Sequence, residues 1–265
     1  MKYFLLIVLL SASASCTSYR YIKLESADLS RNKDNGFIET GDTIEVNYHF
    51  YGNKGPVHLT IYNKMNNGLQ VDLSRSALVL NDKAISLYSG DINISGVMHS
   101  NTIEWTKNIS STSGMVTARG SLPQTMLFIP AHAYIDITPI TVTDQFFDTI
   151  PDSKYVKSYY LNEGDISSKP IKTASFGQAE SPLVFKTYLS FMIPDGDQKE
   201  FVKQHVFYIS EIVKAPFHPD EFGYMQSPNG DKFYVSHTKG AGVGAGILVA
   251  TAVAASAATH TGPTK

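Results

Sequence analysis

The sequence predicts an all-β protein, a two-sheet immunoglobulin-like sandwich set between an N-terminal signal peptide and a Gly/Ala-rich, helical C-terminal tail. Three observations lead there. In "DTIEVNYHFYGNKGPVHLTIYN", Ile44, Val46, Tyr48 and Phe50 alternate with Glu45, Asn47 and His49, and Val57, Leu59 and Ile61 repeat the alternation after "GNKG". That period of two is the mark of half-buried strands, and Gly and Asn in the loop join them as a hairpin. The 15 Tyr and 14 Phe, with abundant Val, Ile and Thr, suit a pleated surface. No segment before Gly240 keeps a helical period over three turns. A barrel is the alternative closure of the same strands.

Residues 1–15 read as a signal peptide. Lys2 supplies the positive end, Tyr3 to Leu10 form an uninterrupted apolar stretch, and small residues follow from Ser11 to Ser15. The apolar stretch is shorter than the ~20 residues that cross a bilayer as a helix. Two cleavage chemistries fit. Ala12 and Ala14 suit an ordinary signal peptidase. Ala14-Ser15-Cys16 suits a lipoprotein signal peptidase, although Ser13 stands where Leu is usual. Cys16 is the only cysteine of 265 residues, so it gains no intramolecular crosslink and would carry an oxidisable thiol outside the cytoplasm. A thioether-linked lipid removes that liability, and two or three acyl chains anchor firmly where one binds only marginally. Cys16 is therefore the expected lipid-attachment residue, with a free or intermolecularly paired thiol as the alternative.

Residues 16–35 are expected to combine a tether with a first strand built on Tyr19, Tyr21 and Leu24. The β domain is expected over 36–238. "LQVDLSRSALVLND", "KAISLYSG" and "NTIEWTKNI" supply strands, and "TMLFIPAHAYIDITPITVTD" two more, bent at Pro130 and Pro139. The pattern fades into a long excursion near 148–178. "SPLVFKTYLSFMIP" and "KQHVFYISEIVKAP" close the domain.

Residues 239–265 form a Gly/Ala-rich tail in which Gly240 to Ala258 carries no charge. As a helix this run would be about 28 Å long, close to the hydrocarbon thickness of a bilayer. Gly240, Gly242, Gly244 and Gly246 are spaced for membrane insertion or self-association through close helix contact. Against that stands its modest hydrophobicity, and a flexible or surface-lying tail is the plainer reading. It is not a phosphate-cradling loop, because Ala245 stands where G-x-G-x-x-G needs glycine.

Composition and motifs exclude more than they assign. A net charge of −2 with no basic block argues against nucleic-acid binding. There is no G-x-S-x-G and no H-E-x-x-H, and "SRNK" (Ser30 to Lys33) matches S-x-x-K without its companion motifs. No enzyme activity and no cofactor are expected. His49 and His58 would face each other across the predicted hairpin on its outer face. Two imidazoles there could hold a metal weakly or sense pH; an exposed polar pair without a role is the plainer reading. Arg75 is expected to satisfy local carbonyls or pair with Asp72, and Trp105 to pack in the core beside Ile103. Asn93 and Asn108 begin N-x-S sequons, a pattern common by chance.

"LTIYNKMNNGLQVDLSRSALVLND", "LFIPAHAYIDI", "ESPLVFKTYLSF" and "VFYISEI" together resemble a group of uncharacterised cell-envelope lipoproteins of Bacteroidota, with Ala131 where a second proline is often found. The resemblance implies an envelope address and no particular activity. Residues Thr17 to Arg20 lack the acidic residues that often follow the cysteine of surface-exported members. An outer-membrane protein facing the periplasm is therefore expected. The function read from all this is a non-enzymatic structural or protein-interaction role on a membrane. Its partners would be the membrane itself, through Cys16 and the tail, and an unidentified envelope protein or glycan. A glycan-binding module is the alternative, and a hydrolase with a dispersed site a lesser one.

Overall fold

Strand-forming alternation runs through most of the chain, and in a computed structural model it is realised as sixteen strands among the described residues. The structure describes residues 16–88, 93–106, 109–121, 125–194 and 199–239. The leader and the run from Gly240 onward, on which the signal-peptide and helical-tail expectations rest, lie outside the described residues.

The strands in chain order are β1 (Cys16–Ser26), β2 (Ser30–Arg31), β3 (Phe37–Thr40), β4 (Ile44–His49), β5 (His58–Asn63), β6 (Leu69–Leu80), β7 (Lys83–Ser86) and β8 (Asn93–Thr106). They continue with β9 (Ile109–Ser121), β10 (Met126–Ile129), β11 (Tyr134–Ile137), β12 (Val156–Tyr160), β13 (Lys169–Ser175), β14 (Val184–Met192), β15 (Glu200–Ala215) and β16 (Lys232–Lys239). Two antiparallel sheets form the body. The larger follows the order β10-β6-β14-β15-β1-β16, with β13 carrying β12 onto β15 and β7 added to β6. The smaller follows β11-β5-β4-β3-β2. Among the described residues, strands β8 and β9 pair with each other alone, as a two-stranded ribbon.

The inner faces of the two sheets meet in one core. Phe37, Tyr48 and Phe50 from the smaller sheet interlock with Phe185 and Phe207 from the larger, with ring centroids 5.0–6.2 Å apart. Fully burying an aromatic or aliphatic side chain stabilises by roughly 1.5–3 kcal/mol, so this cluster is the main source of stability in a domain with no disulfide. The outer side of β1 is covered too. Tyr21 and Val213 pack there with Phe217, Phe222 and Met225, and the Tyr21 hydroxyl donates to the Phe217 carbonyl at 2.6 Å.

Residues 16–35, read as tether and first strand, begin directly as strand. β1 starts at Cys16 and lies between β15 and β16, with Cys16 opposite Lys239. The faded stretch near 148–178 contains the β12–β13 hairpin. The phrases "YNKMNNG", "LFIPAHA" and "VDLSRSA" are joints of the fold. Asn63, wholly buried, donates to the carbonyls of Ile129 and Pro130, tying the end of β5 to the segment between β10 and β11. Asp72 accepts from the backbone N–H groups of Ser74 and Arg75, and the Ser76 hydroxyl accepts from the Ser190 N–H where β6 and β14 slip register.

Candidate functional site

The hairpin loop "GNKG" demands special backbone, and the chain meets it with positive φ at Gly52 (141°), Lys54 (65°) and Gly55 (66°). Gly55 also lies against the Phe233 ring, where a Cβ would sit 3.0 Å from a ring carbon. The loop is held by β16: Lys54 N–H donates to the Tyr234 carbonyl and Tyr234 N–H to that of Gly52. With the loop fixed, β4 and β5 pair in one register. His49 falls opposite His58, Asn47 opposite Thr60, and Glu45 opposite Tyr62. β11 extends the rows, placing Asp136 beside Thr60 and Tyr134 beside Tyr62.

The outer face of the smaller sheet is therefore a ladder of polar and aromatic side chains. It forms an open groove of about 430 Å³ bounded on one side by Asn32 and Asp34 of the β2–β3 turn. Its groups are largely ordered among themselves. The Thr60 hydroxyl donates to Asp136 at 2.5 Å, Asn47 to Glu45 at 3.1 Å, and His58 Nδ1 meets the Thr138 hydroxyl at 2.7 Å. The imidazoles of His49 and His58 stand edge to face, 5.8 Å apart. Burial and the neighbouring His58 push the His49 pKa below its ordinary value, so His49 is neutral at pH 7. Among the described residues no third His, Cys, Asp or Glu joins the pair as a metal-ligand set.

Beneath this face lies a group that no sequence motif announces. Thr187 and His205 are cross-strand partners on the inner face of the larger sheet. The Tyr48 hydroxyl reaches both from the opposite sheet, 2.9 Å from Thr187 Oγ1 and 2.7 Å from His205 Nδ1. His205 Nε2 lies 2.7 Å from Glu39 Oε2, and Lys203 Nζ bonds the other Glu39 oxygen. Burial lowers the His205 pKa despite the Glu39 carboxylate. Burial alone would raise Glu39, but hydrogen bonds and charge from Lys203 and His205 hold it below the usual carboxylate range. One proton arrangement satisfies every group: Thr187 donates to Tyr48, Tyr48 to His205 Nδ1, and His205 Nε2–H to ionised Glu39. The order carboxylate–imidazole–hydroxyl is that of a proton relay. Here the terminal hydroxyl is wholly buried and its pKa is raised by burial, so it is closed to any substrate and fastens the two sheets together.

The remaining expected site residues fall elsewhere. The backbone of Cys16 opens β1, and Gly240, Gly242, Gly244 and Gly246 lie outside the described residues, as does the side chain of Trp105. Arg75 pairs with Glu200 at 2.8 Å across the surface rather than with Asp72, whose carboxylate is occupied by the backbone of its own strand. Among the described residues no helix is long and apolar enough to cross a membrane. No protein-family model matches the chain, and no curated protein or solved structure matches it either.

Proposed function

We propose that the protein is a lipid-anchored lipoprotein of the bacterial cell envelope, held in the outer membrane by acyl chains on Cys16 and facing the periplasm. Its immunoglobulin-like body would do non-enzymatic work, binding another envelope component. The observation that supports this most is the pairing of Cys16 with Lys239 at one end of the larger sheet. The only thiol in the chain and the residue that precedes the uncharged Gly/Ala run are thus neighbours at one end of the sheet, which would let both candidate anchors reach one membrane surface. Because β1 starts at Cys16, a lipid there would hold the body close against that surface. The groove lies well away from it: Lys232, beside the Gly230 that Phe50 bonds, is seven residues along β16 from Lys239, about 23 Å. Labelled palmitate should enter the wild-type protein and not Cys16→Ala; equal labelling of the two would overturn the anchor.

A second reading, a glycan-binding module, is favoured by the groove. Tyr62 and Tyr134, the latter 63% exposed, do not line the groove but continue the same sheet face beyond its Glu45 and Thr60 edge, adding aromatic faces to its amide, carboxylate and hydroxyl groups, the combination that stacks on and hydrogen-bonds sugars. In calorimetry against a panel of neutral and amino-sugar oligosaccharides, a binder is expected whose affinity falls about tenfold in Tyr134→Ala. No heat of binding across the panel removes this reading.

A further inference from the structure

We propose that the tip of the β12–β13 hairpin is a membrane wedge, which sets Leu161 and Ile166 into the headgroup boundary of the leaflet that holds Cys16. The inference rests on the anchored-lipoprotein reading for its orientation and adds a second, non-covalent contact.

Register places the tip. Arg20 of β1 pairs with Lys214 of β15, and Lys214 with Lys172 of β13, so the three share one row. Toward one end of the sheet, Cys16 lies four residues past Arg20, about 13 Å. Toward the same end, β13 runs three residues back to Lys169, the partner of Tyr160. Leu161 follows Tyr160 and is level with the Cys16 backbone, and residues 162–168 close the hairpin there. Lys239 stands in the Cys16 row as well. One end of the body thus gathers the cysteine, the exit toward the uncharged run and the hairpin tip.

Chemistry then distinguishes this tip from an ordinary loop. Ile166 is fully exposed, Tyr159 is 75% exposed and Leu161 59%. Large apolar side chains exposed together on one short segment are unusual for a surface that meets only water. The tip is also braced. Buried Asn162 donates to the Glu221 carbonyl and accepts from the Gly223 N–H, and Tyr160 packs edge-on against Phe217 and Phe222. Leu161 and Ile166 flank the exposed Glu163 and the part-buried Asp165 of this braced turn; with those two carboxylates left in the headgroup water and Tyr159 set back, the arrangement suits the layered interface of a bilayer, where Tyr favours the headgroup level.

The test supplies the anchor by chemistry, so it does not depend on whether the cell acylates Cys16; palmitate labelling decides that separately. The chain from Cys16 to Lys265 is coupled through its single thiol to a maleimide lipid in phosphatidylethanolamine/phosphatidylglycerol vesicles. Ile166→Trp is compared with Val202→Trp, a position at the far end of β15 that is 39% exposed. Chain-brominated lipids should quench the added fluorescence of Ile166→Trp by half or more and leave that of Val202→Trp unchanged. In a second arm Cys16 carries one myristoyl-length chain, an anchor weak enough to expose other contacts. Leu161→Ser/Ile166→Ser should then lower vesicle partitioning at least about tenfold. Equal quenching at the two positions, or equal partitioning of the serine variant and its parent, overturns the wedge.

Discussion

The Tyr48 hydroxyl and His205 Nδ1 lie 2.7 Å apart between the two sheets, and this contact joins strands that are 157 residues apart in the chain. Tyr48→Phe keeps the ring among Phe50 and Phe207 but leaves the Thr187 hydroxyl and the His205 nitrogen buried with no partner. An unpaired buried polar group costs about 1–3 kcal/mol. The urea midpoint should fall accordingly at unchanged m-value. An unshifted midpoint would show that the contact holds nothing.

The same group makes stability depend on pH. His205 has a folded-state pKa below its ordinary 6.5, so as pH falls through 6.5 the unfolded chain takes up a proton that the native state resists. His49, depressed by burial and by His58, acts in the same sense. Glu39, held low by Lys203 and His205, adds a further loss nearer its own ordinary value of 4.5. Asp231 opposes them, since burial raises its pKa and protonation there favours the native state. The net expectation is a stability that declines between pH 7.5 and 5.5. His205→Gln should flatten that decline without abolishing it, because His49 still titrates. Unfolding curves at the two pH values, compared as slopes, decide the point; parallel slopes in variant and parent would remove His205 from the account.

How far this was legible in the sequence follows from what each signal encodes. The β4–β5 hairpin was readable, because alternation and a Gly/Asn loop are local, and the His49–His58 facing came with its register. The sandwich class followed from many such strands. The central place of β1 was not readable, since its partners β15 and β16 lie about two hundred residues away and no period announces them. Tyr48 scored as one more apolar residue on an inward face. His205 fell on the inward face of "KQHVFYIS", yet nothing in that phrase names the tyrosine that would satisfy it. The β12–β13 hairpin escaped because β12 is exposed on both faces, Lys157 and Ser158 as well as Val156 and Tyr159, and the stretch around it is polar with Gly164 and Pro170, so no alternation marks it.

Two glycines meet where the β2–β3 turn touches the loop before β16. A Cβ on Gly230 would lie 2.6 Å from the Gly36 nitrogen and 2.9 Å from the Asp34 carbonyl oxygen, both backbone atoms that side-chain motion cannot relieve. Two hydrogen bonds, Gly230 N–H to Asp34 and Phe50 N–H to Gly230, would have to stretch together. Gly230→Ala is expected to destabilise by about 1–3 kcal/mol, the range for forced overpacking. Thermal unfolding measures it, with Gly177→Ala as control, because a Cβ there meets nothing within 4 Å. Equal melting of the two variants would mean that the contact is slack.

Arg31 is the charge on which this corner of the fold turns. Its guanidinium lies 4.3 Å over the Phe37 ring, 3.0 Å from Asp231 and 2.7 Å from Glu25, and it also donates to the carbonyls of Leu24 and Asn35. Asp231 is 2% exposed, and its second oxygen has no partner among the described residues. Lysine keeps the charge but has neither the planar fork nor the flat face, so Arg31→Lys cannot bridge two carboxylates while stacking on a ring. Removing one partner of a buried pair costs about 3–5 kcal/mol. Arg31 is about a third exposed, which reduces the expected loss to about 1–3 kcal/mol. Charge left on Asp231 should account for much of it, and that part can be isolated. In an Arg31→Lys background, Asp231→Asn should be neutral or stabilising, whereas alone it should be destabilising. A double-mutant cycle in urea reads the difference as a coupling energy. A coupling of zero would mean that the guanidinium acts through Glu25, Phe37 and the two carbonyls, and not through Asp231.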